Sequence, residues 1–141
     1  MENLILIGMP GCGKSTVGKL LAQKTGRTFV DADDAIREAA GMTIPEIFAR
    51  EGEAGFRKRE SQVLHELGKA SGLVIATGGG CVTREENYPL LHQNGTIYFL
   101  QREISQLPTE GRPLSQAGDL QQMYQVRKPM YESFADKVVD N

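Results

Sequence analysis

A glycine-rich segment near the start of the chain has the spacing of a phosphate-binding loop. Residues 8–15 read GMPGCGKS, which matches GxxxxGK followed by Ser or Thr. Glycines let backbone N–H groups turn inward around a phosphate, and the helix that follows adds partial positive charge. In such a loop Lys14 would contact the β- and γ-phosphates of ATP, and the Ser15 hydroxyl would bind Mg²⁺. The residues expected to bind ATP here are Gly11, Cys12, Gly13, Lys14, Ser15 and Thr16. An ordinary strand-to-helix turn is the alternative interpretation.

Acidic residues follow a second apolar segment. Asp31 and Asp33 project their side chains in the same direction if the backbone between them is extended. One could then hold Mg²⁺ or its waters, and the other could accept a hydroxyl proton. Asp34 precedes a helical stretch, so we predict that it is the N-cap of that helix. We expect Asp33 to face the substrate because the phosphate loop is near.

Three consecutive glycines, Gly78, Gly79 and Gly80, follow a third apolar segment. Bare backbone of this kind allows a ligand to approach the main chain closely, although it also suits a tight turn. Both interpretations can hold together.

Basic residues fall into two groups. Arg57 has Glu60 three residues later, so Glu60 could hold it rigid and aim it at a ligand. The neighbouring Lys58 and Arg59 are interpreted as part of a solvated helix face with salt bridges. Arg112 and Arg127 have no such helical partners. An arginine near phosphates is suited to clamp a transition state, because its planar fork can bind two oxygens at once.

The elements that must position these residues can be read from hydrophobic patterning. Short apolar runs occupy residues 4–7, 28–30, 73–76, 97–100 and 138–139, and helix-compatible segments lie between them. A helix is predicted from Gly13 to Thr25, with Gly26 as its stop. This alternation predicts an α/β fold with a parallel sheet flanked by helices. Ligands of such folds bind outside the carboxyl ends of the strands, where the motifs above should converge.

Two segments depart from the alternation. Residues 33–62 hold two helical stretches, 34–40 and 44–50, separated by Gly41 and Pro45, and are predicted to form a helical insertion at one end of the sheet. Residues 105–118 are rich in glycine, proline and polar side chains, which predicts a surface loop that could act as a lid. We expect residues 1–141 to form a single domain.

Composition excludes several classes of protein. The 141 residues carry a net charge of −2, which lacks the positive field of a nucleic-acid-binding protein. Two cysteines cannot build a disulfide framework, no apolar run is long enough to span a bilayer, and the first residues lack the cationic start of a signal peptide. We therefore expect a cytoplasmic protein without a membrane partner.

Six motifs, taken in order, resemble those of the shikimate kinase family over nearly the whole chain. They are GMPGCGKST at 8–16, FVDADDAI at 29–36, EGEAGFRKRE at 51–60, ATGGGCV at 76–82, GRPL at 111–114 and VRKPMY at 126–131. The resemblance implies a five-stranded parallel sheet of the nucleoside-monophosphate-kinase type. It also implies transfer of the ATP γ-phosphate to the 3-hydroxyl of shikimate, in aromatic amino-acid biosynthesis.

The resemblance also implies roles for individual residues. Asp33, Arg57, Gly79 and Arg127, with the flanking Gly78 and Gly80, would bind shikimate, the two arginines through its carboxylate. Arg112 is similar to the family's lid arginine, and Ser15 with Asp31 resembles the Mg²⁺ site. The residues implied to act in catalysis are Lys14, Asp33 and Arg112.

Two departures from the family pattern leave alternatives open. The segment before Arg112 is short and lacks a second arginine, and the family usually continues beyond the position of Asn141. Two rival functions are open. One is a gluconate-type or other small-carboxylate kinase, and the other is a weakly active module that binds nucleotide and shikimate. A monomer is expected unless an apolar face of the sheet lies uncovered.

Overall fold

The sheet is the centre of the fold. In this computed structural model, which describes residues 1–102 and 114–141 and the side chains of 1–102 and 120–141, five strands form one parallel sheet in the order β2-β3-β1-β4-β5. The strands are β1 (Asn3–Ile7), β2 (Thr28–Asp31), β3 (Leu73–Ala76), β4 (Gly95–Gln101) and β5 (Lys137–Asp140). The predicted fold class and all five predicted strands are confirmed.

The central strand β1 explains why apolar runs in this sequence are uninterrupted. Its residues pair with β3 on one side and β4 on the other, with Leu6 opposite both Ala76 and Tyr98. Every residue of β1 is buried. A strand covered on both faces has no solvent-facing positions. Its residues therefore form a continuous apolar run and do not alternate between polar and apolar.

Helices connect the strands. They are α1 (Lys14–Thr25), α2 (Ala32–Ala40), α3 (Ile44–Lys69), α4 (Asn87–His92) and α5 (Leu114–Phe134), with a 3-10 turn at Cys81–Thr83. Helix α1 ends at Gly26, as predicted, and Gly26 donates its backbone N–H to the carbonyl of Ala22. Among the helices that the structure describes, none is long and apolar enough to cross a membrane.

The start of α2 corrects one prediction. The N-cap of α2 is Asp31, whose Oδ1 accepts hydrogen bonds from the backbone N–H groups of Asp33 (2.9 Å) and Asp34 (3.2 Å). The prediction that Asp34 is the cap is wrong, because the helix begins two residues earlier than the apolar pattern indicates. Asp34 lies in the first turn instead, where its carboxylate pairs with Arg37.

The start of α3 shows why Pro45 does not separate two helices. Thr43 caps α3 and forms a capping box with Glu46, in which each side chain contacts the backbone of the other residue. Pro45 occupies the first turn of α3, where its missing N–H costs no helical hydrogen bond. Helix α3 then continues well beyond the predicted 44–50, to Lys69, with a break at Gly52.

The apolar side chains form two separate clusters. The larger one surrounds the sheet and includes Ile5, Ile75 and Ile97, each fully buried. The smaller one lies between α2 and α3 and consists of Ile36, Ile47 and Phe56, with partly buried neighbours around it. The helical segment α2–α3 therefore has a core of its own.

The predicted lid lies mostly outside the described residues. Residues 103–113, which include Arg112, are not described. Helix α5 begins at Leu114, within the range 105–118 that the sequence assigned to the lid.

Candidate active site

The phosphate loop joins β1 to α1, as its motif requires. Gly13 has φ 98°, a conformation that glycine adopts without strain, and α1 begins at the next residue. The Lys14 ammonium donates hydrogen bonds to the carbonyls of Gly8 (2.7 Å) and Met9 (3.0 Å). These bonds hold its positive charge within the loop, where an anion would bind.

Two further contacts stabilise the loop from outside. The side-chain amide of Asn141 donates to the Cys12 carbonyl at 2.8 Å, and the backbone N–H of Asn141 donates to Gln101 at the end of β4. Because a carbonyl accepts only, the atom of Asn141 that contacts it is the amide nitrogen. The Cys12 side chain itself is buried.

Ser15 and Asp31 lie at the mouth of the loop. Their side-chain oxygens, Ser15 Oγ and Asp31 Oδ2, are 3.4 Å apart, while the other carboxylate oxygen of Asp31 caps α2. A hydroxyl and one carboxylate oxygen form the hard-oxygen pair that suits Mg²⁺, which usually takes its remaining ligands from water and phosphate. In the described residues, no group of three or more acidic, His or Cys side chains is placed to hold a metal. The hydroxyl and carboxylate oxygens of Ser15 and Asp31 fit a Mg²⁺ ion that is also held by a nucleotide.

Asp33 lies in the first turn of α2. The backbone from Asp31 to Asp33 leaves the strand and becomes helical, so the condition for two parallel side chains is not met. Asp33 Oδ1 is buried and has no hydrogen-bond partner among the described residues. Burial raises the pKa of Asp33, and the charge of Asp31 raises it further, against the opposing effects of Lys14, Arg37 and Arg57.

The three glycines bring the backbone against the charged side chains. A Cβ on Gly78 would lie 2.9 Å from Asp33 Oδ1, and one on Gly80 would lie 2.7 Å from Arg57 Cζ. A Cβ on Gly79 would lie 2.8 Å from the Cδ of Pro10 in the phosphate loop. All three distances are shorter than ordinary contacts, so a Cβ at any of these positions would displace the Asp33 carboxylate, the Arg57 guanidinium or the Pro10 ring.

Arg57 is held by an acidic side chain, as the sequence predicted. Its Nη1 lies 3.0 Å from Oε1 of Glu60, which is 1% exposed, and its Nε lies 3.7 Å from Glu53. Burial raises the pKa of Glu60, although the charge of Arg57 lowers it. The guanidinium also lies 5.2 Å from the centre of the Phe56 ring. These contacts fix the direction of Arg57.

Helix α5 reaches the same place through Tyr131 and Arg127. The buried Tyr131 hydroxyl donates to the Gly79 carbonyl at 2.6 Å, and the ring stacks on Phe99 at 5.0 Å. Burial raises the pKa of Tyr131. Arg127 precedes Tyr131 by four residues, so both project from the same face of the helix.

These side chains surround one small cavity of about 160 Å³. Its lining comes from the phosphate loop, α2, α3, the glycine turn and α5: Pro10, Asp33, Phe56, Arg57, Glu60, Gly78, Gly79, Gly80 and Arg127. A larger open groove of about 980 Å³ lies beside α3 and α4, and of the predicted site residues that the structure describes only Arg57 lines it. The residues predicted to bind the acceptor therefore lie together around the small cavity, whereas the predicted ATP-binding residues among those described are not part of its lining.

Sequence reasoning missed two residues that support the site without lining the cavity. Tyr131 carried a signal that was not used, namely its four-residue spacing from Arg127 on a helix. Asn141 carried none, because its contact with the phosphate loop depends on how β5 pairs with β4. Arg112, expected to bind ATP and to act in catalysis, lies outside the described residues.

Several known proteins resemble this chain in sequence and in fold. Residues 10–141 match the family model for shikimate kinase. The chain is 43% identical to a shikimate kinase of Nitrosomonas europaea, over 99% of this chain and 70% of that protein. It superposes with a TM-score of 0.92 and 39% identity on shikimate kinase from Acinetobacter baumannii in complex with shikimate, covering 100% of this chain and 84% of that one. The Aquifex aeolicus shikimate kinase gives a TM-score of 0.85 at 35% identity, over 98% and 85% of the two chains. With its phosphate loop, its cavity and these likenesses taken together, the chain belongs to the shikimate kinase family.

Proposed function

We propose that this protein transfers the γ-phosphate of ATP to the 3-hydroxyl of shikimate. One observation carries the proposal: a loop built for phosphates directly adjoins a small cavity with two arginines and a buried carboxyl group, and Pro10 belongs to both. Family membership favours shikimate over gluconate or another small carboxylate as the acceptor. It also favours an active kinase over a module that only binds.

The donor side uses the loop and the residues at its mouth. Backbone N–H groups of residues 11–16 and the Lys14 ammonium would bind the β- and γ-phosphates of ATP. Ser15 and Asp31 would hold Mg²⁺, which supplies positive charge that neutralises the phosphates during transfer. Arg112 would add its guanidinium to the same phosphates. Asn141 keeps the loop in shape through its bond to Cys12.

The acceptor side uses the cavity. Arg57 and Arg127 would pair with the carboxylate of shikimate, since guanidinium groups bind carboxylates through two parallel hydrogen bonds. Glu60 and Phe56 hold Arg57 in place. Gly79 would contribute bare backbone, and Gly78 and Gly80 leave room for Asp33 and Arg57. At about 160 Å³ the cavity suits a small acid and not a nucleotide.

Asp33 would receive the proton. As the acceptor oxygen forms its bond to the γ-phosphorus, the bond from that phosphorus to the β–γ bridging oxygen breaks and ADP leaves. The hydroxyl proton passes to the Asp33 carboxylate. A raised pKa makes Asp33 a better base than an exposed aspartate, and its buried Oδ1 has capacity to accept a hydrogen bond.

We also propose a cytoplasmic setting and a monomeric state. Cys12 and Cys81 are free, buried thiols, which suits a reducing compartment. Val138 and Val139 of β5 are 52% and 40% exposed, so association of two copies through this apolar edge of the sheet is the alternative to a monomer.

A substrate panel tests the function. ADP release is measured with Mg-ATP alone and then with shikimate, quinate or gluconate added. We expect strong stimulation by shikimate only, with one ADP released for each shikimate phosphorylated. Stimulation by gluconate but not shikimate would support the rival kinase, and release that no acceptor changes would contradict the proposal.

A further inference from the structure

The break in α3 divides the helix that carries Arg57. Gly52 has φ 71° and ψ −177°, which is not helical and which side chains other than hydrogen strongly disfavour. Residues 44–51 lie before the break and supply Ile47 to the smaller core. Residues 53–69 lie after it and carry Arg57 and Glu60. The angle at Gly52 therefore determines how the two parts of α3 meet.

An ion pair spans this break. Glu51 lies immediately before Gly52, and its two carboxylate oxygens accept hydrogen bonds from Arg59 Nε (2.8 Å) and Nη2 (2.7 Å). In a continuous helix only residues three or four apart are neighbours, and residues eight apart are separated by about 12 Å along the axis. This bidentate pair thus depends on the break. Both side chains are about one third exposed, at 31% and 33%.

Gly55 makes room for the pair. A Cβ on Gly55 would contact Glu51 Cβ and would lie 3.1 Å from Glu51 Oε1. The carboxylate of Glu51 reaches Arg59 by folding across the bare backbone at Gly55. An alanine at this position would push Glu51 away from Arg59.

A second contact spans the break and leads to the cavity. The rings of Phe48 and Phe56, also eight residues apart, stack with their centres 4.8 Å apart. Phe56 lines the cavity, and its ring lies 5.2 Å from the Arg57 guanidinium. A change in the backbone angle at Gly52 would move Phe48, and with it the Phe56 ring that stacks on Phe48. The contact between that ring and the Arg57 guanidinium would then change.

We propose that Glu51 and Arg59, with the space provided by Gly55, form an ionic clamp that positions Phe56 and Arg57 for the acceptor carboxylate. This inference rests on the proposed function, because it assigns the clamp to the shikimate side of the site. Glu51 and Arg59 are positioning residues that do not touch the substrate. The solvated salt bridge that the sequence indicated for Arg59 thus acquires a role in acceptor binding.

Steady-state kinetics of Arg59→Met test the clamp. We expect KM for shikimate to rise about two- to fivefold, the range that follows from losing one partly exposed ion pair. We expect kcat to change less than about twofold and KM for ATP to stay constant, since the clamp affects ground-state binding of the acceptor. Calorimetric titration of the variant with shikimate alone should show the same loss of affinity.

Three further variants separate positioning from general stability. Lys58→Met removes an exposed charge from the same turn and should leave both KM values unchanged. Gly55→Ala places a Cβ against Glu51 and displaces it from Arg59, so the clamp predicts a higher KM for shikimate with an unchanged KM for ATP. The exchange Glu51→Arg with Arg59→Glu should recover most of the lost affinity.

The results distinguish this inference from the proposed function. If the wild-type protein does not phosphorylate shikimate, the proposed function fails. If the wild-type protein is active but Arg59→Met and Gly55→Ala retain its KM for shikimate, the clamp alone is overturned. A rise in KM for shikimate that is matched by an equal rise for ATP would also overturn it.

Discussion

Replacing Tyr131 with phenylalanine tests how α5 supports the acceptor cavity. The change removes one hydroxyl group, which donates to the Gly79 carbonyl at 2.6 Å, and leaves the ring stacked on Phe99. Tyr131 is fully buried, so water does not replace the lost donor from the tyrosine side. We expect a less stable protein with weaker acceptor binding.

The size of the effect follows from the hydrogen bond. A typical buried bond contributes about 0.5–1.5 kcal/mol net, and leaving one partner unsatisfied costs about 1–3 kcal/mol. The Gly79 carbonyl faces a cavity that water can enter, so the lower part of this range applies. We therefore expect the free energy of unfolding to fall by about 1–2 kcal/mol, which lowers Tm by roughly 3–8 °C in a domain of this size.

Urea unfolding and shikimate kinetics together check this prediction. KM for shikimate should rise by up to about tenfold, because the glycine turn is no longer tied to α5. Tyr124→Phe, a change of the same kind at a half-buried position of the same helix, serves as the control. If Tyr131→Phe unfolds at the urea midpoint of the wild-type protein and keeps its KM, the bond to Gly79 does not support the cavity.

Four other substitutions give distinct expected results. Asp33→Asn should reduce kcat by at least about a hundredfold while changing ATP affinity little, whereas Lys14→Met should reduce both; an equal effect of Asp33→Asn on both quantities would contradict its role as base. Gly80→Ala should raise KM for shikimate by about tenfold or more, because its Cβ would lie 2.7 Å from Arg57 Cζ, and unchanged kinetics would refute the close approach. Burial raises the pKa of Glu60, so the folded protein binds the carboxyl proton of Glu60 more tightly than the unfolded protein does. The free energy of unfolding therefore falls as the pH rises from the ordinary pKa of a glutamate, near 4.5, through the pKa of Glu60 in the folded protein. In urea unfolding experiments at pH 4.5 and above, Glu60→Gln should remove this part of the fall in the free energy of unfolding with pH. An unaltered pH dependence would show that Glu60 is not desolvated.

The sheet was predictable from sequence because burial on both faces leaves a simple pattern. The runs at 4–7 and 73–76 coincide with β1 and β3 to within one residue. The start of α2 was less predictable, since several acidic residues stand in a row and any of them can cap a helix. Asp31 is the cap of α2 because β2 ends there, which depends on its pairing with β3.

The candidate site was predictable where local spacing carries the chemistry. The phosphate loop and the Arg57–Glu60 pair each lie within a few residues of sequence. The parts that were not foreseen join distant segments: Tyr131 contacts Gly79, and Asn141 contacts Cys12. Only the packing of α5 and β5 against the sheet brings those residues together.

The separate cluster of Ile36, Ile47 and Phe56 gives the molecule two regions of unequal rigidity. Opening of α2 and the first part of α3 breaks contacts among a few enclosed side chains, whereas opening of β1 requires disruption of the whole sheet. We therefore expect amide hydrogens of α2 to exchange with deuterium sooner than those of β1. By the same reasoning, the region proposed to bind the small acid should be more flexible than the region proposed to bind the triphosphate.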